Sequence, residues 1–245
     1  MKILNIHGYH SEDDYLDGES RNAAYHALSR IGETDVFSLS LDYNAHDADS
    51  ILTVLRYKFH AHHCDAVVGT SLGGHFAAQV SVEYNCPCIL INPCLVPFAY
   101  LPKYGYKGSL TGYIRQVAKL AELDKRNVSA ILGAQDEVID MNTTLYILGD
   151  KRCTIIPDGG HNGSSLPLKE FLTTALEKAK SGIGGIGESY AVDDDNPTIL
   201  LTEVDMDKKL QNVCKHKWRR TNYSKKYTKL RCWLCGATRF VRKGS

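Results

Sequence analysis

The sequence predicts an α/β fold, a mainly parallel sheet flanked by helices, with a small basic module appended at the C-terminal end. Three observations predict it. Short aliphatic or β-branched runs alternate with longer helix-compatible segments across residues 1–180, the arrangement that builds parallel sheets from β-α units. The runs are too uniformly apolar to leave one sheet face wet, which argues for helices on both sides. The stretch SGIGGIGESYAVDDDNP at 181–197 is glycine-rich, then acidic, and has neither periodicity, so it reads as a linker.

The elements follow in chain order. KILNI at 2–6 is the first strand, and a helix is expected near 18–31. DVFSL at 35–39 is the second strand, followed by a helix near 47–62. DAVVG at 65–69 is the third, a valine run ended by glycine, with a helix at 72–84. CILI at 88–91, VSAIL at 128–132 and RCTII at 152–156 complete the sheet, with helices near 112–124, 141–148 and 165–180. TILLTEV, just after the linker, has the composition of one more strand. No internal repeat is visible. The organisation is thus a domain at 1–180, a linker at 181–197 and a module at 198–245.

Bulk properties narrow the class. A chain of 245 residues accommodates one large domain, or a medium one with an appendage. No apolar run approaches the ~18 residues of a membrane span, and MKILNIHGYH turns polar too early for a signal peptide. A soluble cytoplasmic protein is expected. The net charge of +1 conceals a split: residues 208–245 hold 13 Lys and Arg with no Asp or Glu, so the tail is +13 and the rest −12. Such asymmetry suggests an acidic body with a basic arm that seeks anions. Five of the eight cysteines, Cys64, Cys86, Cys88, Cys94 and Cys153, lie at apolar segments and read as small core residues. The other three cluster with a histidine near the C-terminus, which points to a metal site in a reducing compartment.

In an open parallel sheet, ligands bind beyond the carboxyl ends of the strands. His7-Gly8-Tyr9 follows the first strand, and Gly69-Thr70-Ser71-Leu72-Gly73-Gly74 runs out of the third. Gly133-Ala134-Gln135-Asp136 follows the fifth, and Asp158-Gly159-Gly160-His161 the last. One sheet edge therefore gathers a serine, a carboxylate and a histidine.

At these positions the sequence resembles the α/β-hydrolase superfamily, and within it the small, cap-less YqiA-like bacterial esterases. The resemblance covers about residues 1–180. It rests on the His-Gly after strand one, GTSLGG after strand three, INP at 91–93, the GxxD after strand five and the GGH after strand six. It implies a strand-to-helix elbow that projects Ser71, with Gly69 and Gly73 flanking it because side chains there would clash, and the chain order Ser, Asp, His. Ser71 is then the nucleophile, His161 the general base and later acid, and Asp136 the group that orients the imidazole. The backbone N–H groups of Tyr9 and Leu72 are the candidate oxyanion donors.

Bland readings compete for each residue. Asp140 and Asp158 are rivals of Asp136, and His161 could be a turn residue beside two glycines. His60, His62 and His63 read as residues at a helix end, His75 as a solvent-facing or helix-packing residue, and His7 as a loop-bonding residue. The stretch CLVPFAYLPKYGYKGSLTG at 94–112, with Tyr100, Tyr104 and Tyr106, is too short for a lid domain and reads either as a flexible rim over the pocket or as a surface loop. No phosphate-cradling glycine pattern follows the first strand, so no cofactor is expected in catalysis.

In the tail, Cys214-x-His216, then fifteen residues, then Cys232-x-x-Cys235-Gly236 supplies two pairs of soft ligands. These suit one tetrahedral structural zinc. The second half resembles a zinc knuckle; the first departs from the usual two-residue spacing, which leaves His216 open as the fourth ligand. So short a segment, with few aliphatics, commonly needs a metal to fold. Trp218, Arg219, Arg220, Lys225, Lys226 and Trp233 alternate bases' stacking partners with phosphates' counter-charges, so nucleic acid is the expected partner, a protein-docking ribbon the alternative. The whole chain reads as a cytoplasmic carboxylic ester hydrolase, acting on a small acyl ester or an acylated macromolecule and not on a membrane. The alternatives are a non-catalytic hydrolase-fold binding protein, or a thioesterase or acyltransferase.

Overall fold

The structure, a computed structural model, describes residues 1–11 and 22–182 with their side chains. Elsewhere it describes the backbone at 15–16, 19–20, 183, 218–223, 227–232 and 238–242. The chain divides into two compact units, Met1–Tyr190 and Ala191–Ser245.

In the first unit the elements are β1 (Lys2–Ile6), β2 (Tyr15–Leu16), β3 (Glu19–Ser20), α1 (Ala23–Leu28), β4 (Asp35–Leu39), α2 (Ala48–Ala61), β5 (Ala66–Thr70), α3 (Leu72–Tyr84) and β6 (Cys88–Ile91). They continue with α4 (Pro97–Tyr100), α5 (Thr111–Lys119), β7 (Val128–Gly133), α6 (Met141–Leu148), β8 (Cys153–Ile156) and α7 (Leu168–Ile183). Six strands form one sheet in the order β4-β1-β5-β6-β7-β8, every neighbouring pair parallel. β2 and β3 pair separately as an antiparallel ribbon.

The uniform apolarity of the central strands has the expected cause. Leu4, Ile6, Val67, Cys88, Leu90 and Ala130 face the helices α2, α3 and α5, while Ile3, Val68, Ile89, Ile91 and Ile131 face α1 and α7. Alternate side chains of a strand point to opposite faces, so a strand covered on both sides needs apolar residues throughout. The edge strand β8 departs from this, since Ile155 is 42% exposed. An edge strand is covered less completely, and the apolar run alone does not reveal it.

Two helices are shorter than their sequence pattern. α1 begins only at Ala23, because the Asn22 side chain accepts hydrogen bonds from the Ala24 and Tyr25 amides and caps it, and Glu19–Ser20 ahead of it pair as a strand. α5 ends at Lys119 and tightens into a 3₁₀ turn at Leu120–Glu122, with Leu120 and Leu123 buried. Among the described residues, no helix is long and apolar enough to cross a membrane. Cys64, Cys86, Cys88 and Cys94 are buried and unpaired, Cys153 half-buried; burial pushes the Cys64, Cys86 and Cys94 thiols up to about 12.

In the second unit, β9 (Trp218–Tyr223), β10 (Tyr227–Cys232) and β11 (Thr238–Arg242) form an antiparallel sheet in the order β11-β10-β9, with a register shift between Lys229 and Leu230. TILLTEV, Cys214, His216, Lys225, Lys226, Trp233 and Cys235 lie outside the described residues. Trp218, Arg219, Arg220 and Cys232 are described as backbone only.

Candidate active site

The strand order places a topological switch between β1 and β5: the chain leaves β1 for β4 on one side and β5 for β6 on the other. The crevice at such a point is where open α/β sheets hold ligands. The loops at its mouth carry His7-Gly8-Tyr9 and Ser71.

Ser71 sits between β5 and α3 with φ 51° and ψ −121°. A non-glycine residue in such a conformation costs about 1–3 kcal/mol and persists only where its surroundings hold it. Here the Ser71 amide donates to the Ile91 carbonyl at 3.0 Å, and the Ser71 carbonyl accepts from the amides of Gly74 (2.9 Å) and Cys94 (2.8 Å). The flanking glycines are required by contact: a Cβ on Gly69 would lie 2.7 Å from that of Ala77, and one on Gly73 would lie 2.7 Å from the Ile6 carbonyl carbon. The strained turn therefore forms only where the sequence keeps both positions bare.

Three side chains from three loops meet at this turn. The Ser71 Oγ lies 3.0 Å from Nε2 of His161, and His161 Nδ1 lies 2.8 Å from Oδ2 of Asp136. The other Asp136 oxygen accepts from the amides of Val138 and Ile139, each at 2.8 Å. The carboxylate is thus satisfied and aimed, its side chain only 3% exposed against 20% for His161. These partners assign the proton of a neutral His161 to Nδ1, leaving Nε2 to accept from the serine. The rivals are placed elsewhere: Asp140 caps α6 by accepting from the Asn142 amide, and Asp158 is exposed.

Gly8 and Tyr9 also line the cavity beside the serine. A Cβ on Gly8 would approach that of Ser71 to 3.0 Å, so the loop passes close over the nucleophile. Leu72 opens α3, where backbone N–H groups have no intrahelical acceptor. His7 is fully buried beneath this loop. Its Nε2 accepts from the Leu41 amide at 2.8 Å, its Nδ1 donates to the Gly8 carbonyl at 2.7 Å, and its own carbonyl accepts from the Tyr43 hydroxyl. Burial outweighs the Gly8 bond and pulls its pKa down to about 4. His7 is therefore a neutral clamp on the loop, as its loop-bonding reading expects.

Several neighbours have roles at the site that the sequence does not reveal. Asn92, 2% exposed and at φ 41°, donates from Nδ2 to the carbonyls of Gly160 (2.9 Å) and His161 (3.1 Å), and accepts from the Gly133 amide at 2.8 Å. It ties the loop carrying His161 to the strand that leads to Asp136. The INP triplet was visible as a pattern; the job of its asparagine was not. Glu137 accepts from the His161 amide at 3.3 Å. His75, on α3, is wholly buried rather than solvent-facing, with its Nε2 3.0 Å from the Gln116 side-chain oxygen.

The 94–112 stretch is pinned rather than loose. It is helical at Pro97–Tyr100, Tyr106 is buried, and the Tyr104 hydroxyl donates to the Val138 carbonyl at 3.4 Å. The Tyr104 carbonyl accepts from His10 Nε2 at 3.3 Å, joining the stretch to the loop after β1. The cavity beside the serine, about 510 Å3, is walled instead by Tyr9, Ser71, Glu137, His161, Asn162 and Leu168, among others. Among the described residues, no group of three or more His, Cys, Asp or Glu side chains is placed to hold a metal ion.

Comparison with solved structures finds similar chains. A protein assigned to the alpha/beta hydrolase superfamily from Xanthomonas campestris pv. campestris is 20% identical, with 75% of this chain and 98% of that one covered and a TM-score of 0.47. Est1E from Butyrivibrio proteoclasticus, solved with ferulic acid, is 18% identical over 72% and 89% of the two chains, with a TM-score of 0.46. An esterase from Pyrobaculum calidifontis is 14% identical over 74% and 76%, with a TM-score of 0.49. The parallel sheet with helices on both faces and the strained Gly-x-Ser-x-Gly turn between β5 and α3 make the fold an α/β-hydrolase fold. The model of the family described as "Uncharacterised protein family (UPF0227)" matches residues 2–167, and the chain belongs to that family.

Proposed function

We propose that the protein is a serine hydrolase that cleaves carboxylic esters through an acyl-enzyme. The observation that carries this reading is the unbroken run of contacts from Ser71 Oγ to His161 Nε2 (3.0 Å) and from His161 Nδ1 to Asp136 (2.8 Å). A serine hydroxyl becomes a competent nucleophile when a neighbouring base takes its proton. His161 takes it as Oγ bonds to the ester carbonyl carbon, and Asp136 stabilises the resulting imidazolium. The amides of Leu72 and Tyr9 bear on the carbonyl oxygen as it becomes negative; one such donor is worth about 2.7–4 kcal/mol in the transition state. His161 then protonates the departing alcohol oxygen. Water, deprotonated by the same imidazole, releases the acid and restores Ser71.

The exposed cavity, with no lid domain over it among the described residues, suits small acyl esters. The test is labelling by a fluorophosphonate and turnover of p-nitrophenyl acetate. Wild-type protein is expected to be labelled at Ser71 and to turn over; Ser71→Ala loses both while keeping its circular dichroism spectrum. A folded wild-type protein that reacts with neither is a hydrolase-fold binding protein instead.

For the tail we propose one structural zinc held by Cys214, His216, Cys232 and Cys235, and docking on nucleic acid. Backbone register bears on the first part: Cys232 pairs with Trp218 across β9 and β10, and Trp218 follows His216 by two residues in the sequence. The second part rests on the tail's charge of +13. Metal analysis and a low-salt gel shift test them.

A further inference from the structure

We infer that the cavity beside Ser71 selects esters whose alcohol carries a positive charge, and that Glu137 makes the selection. The inference rests on the serine-hydrolase reading of Ser71, His161 and Asp136. Glu137 directly follows Asp136, so the loop that supplies the triad acid also turns a second carboxylate into the cavity wall. One of its oxygens accepts from the His161 amide at 3.3 Å. A carboxylate can accept about four hydrogen bonds, so this one contact leaves it capacity for a ligand. Among the described residues no lysine or arginine pairs with Glu137, and none lines the cavity. It is the one carboxylate among the described residues that line the cavity.

Position says which half of the ester it meets. His161 Nε2 protonates the oxygen of the departing alcohol, so the alcohol leaves past the imidazole. Glu137 is bound to the backbone of that same histidine and stands beside this path. Tyr9 lines the same cavity; its hydroxyl donates to Asn44 at 2.7 Å, and its ring lies tilted against that of His10 with centroids 3.9 Å apart. A carboxylate and an aromatic residue lining one cavity are a pair that attracts an ammonium group.

The experiment compares kcat/KM of the full-length protein for acetylcholine and for 3,3-dimethylbutyl acetate, which has the same shape and no charge. An exposed ion pair favours the choline ester by about fivefold. Glu137→Gln keeps an acceptor for the His161 amide and removes the charge, so its ratio should fall to near one; Glu137→Lys should bring it below one. A wild-type ratio near one, or a ratio unchanged in Glu137→Gln, overturns the selectivity, as does absent turnover in protein that a fluorophosphonate labels at Ser71. Absent turnover together with absent labelling overturns the hydrolase reading itself, and the selectivity with it.

Discussion

Asn92 is where a small change should cost most relative to its distance from the chemistry. Replacing it by alanine removes the acceptor of the buried Gly133 amide and the donor to the Gly160 and His161 carbonyls. A buried N–H left without a partner costs about 1–3 kcal/mol. The position adds a second contribution, because φ is 41° and asparagine tolerates that region better than alanine, by about 1 kcal/mol. The expected loss of stability is thus about 2–4 kcal/mol, read as a fall in the urea midpoint at unchanged slope. Activity should fall further than stability implies, since freeing the His161 loop by about 1 Å can cost about a hundredfold in rate. The assay is kcat for p-nitrophenyl acetate at a denaturant-free concentration where circular dichroism shows the variant folded. Asn92→Gly separates the two contributions: it accepts the positive φ and should recover about 1 kcal/mol of stability over alanine while remaining equally slow. An Asn92→Ala protein with wild-type kcat and an unmoved urea midpoint refutes the reasoning.

The two buried histidines make a prediction about acid. Burial first of all lowers both His7 and His75 to about 4 from 6.5, so the unfolded chain binds protons that the folded chain refuses. Their contribution is fully present above pH 6.5 and is lost as pH falls toward 4, by about 2 kcal/mol each at pH 5; equal unfolding free energies at pH 7 and pH 5 would contradict it. In the tail, protein purified without chelator should carry one zinc per chain and shift labelled nucleic acid at low salt, the shift fading steeply as salt rises. Absence of zinc refutes the metal reading, and absence of a shift the docking.

The sequence by itself determined the six main-sheet strands and their order along the chain, though not the short β2, β3 and α4. All six show as aliphatic or β-branched runs, most clearly where both faces are filled, because residues facing opposite sides are adjacent in the chain and local periodicity reports what lies within a few residues. The glycines around Ser71 were legible for the same reason, since the turn that needs them is local. The GxxD after the fifth strand already pointed to Asp136 over its rivals Asp140 and Asp158; tertiary structure supplied the contact, since the register of β7 against β8 accompanies an Asp136 carboxylate 2.8 Å from the imidazole. Tertiary structure also decided the work of Asn92, Glu137 and His75. Their partners lie 68 and 69, 24, and 41 residues away in sequence, beyond any period that a strand or helix imposes. The Ser71–His161 contact spans 90 residues and exists because β1, β5, β7 and β8 all end at the same edge of one sheet, where a parallel arrangement delivers every loop to a single place.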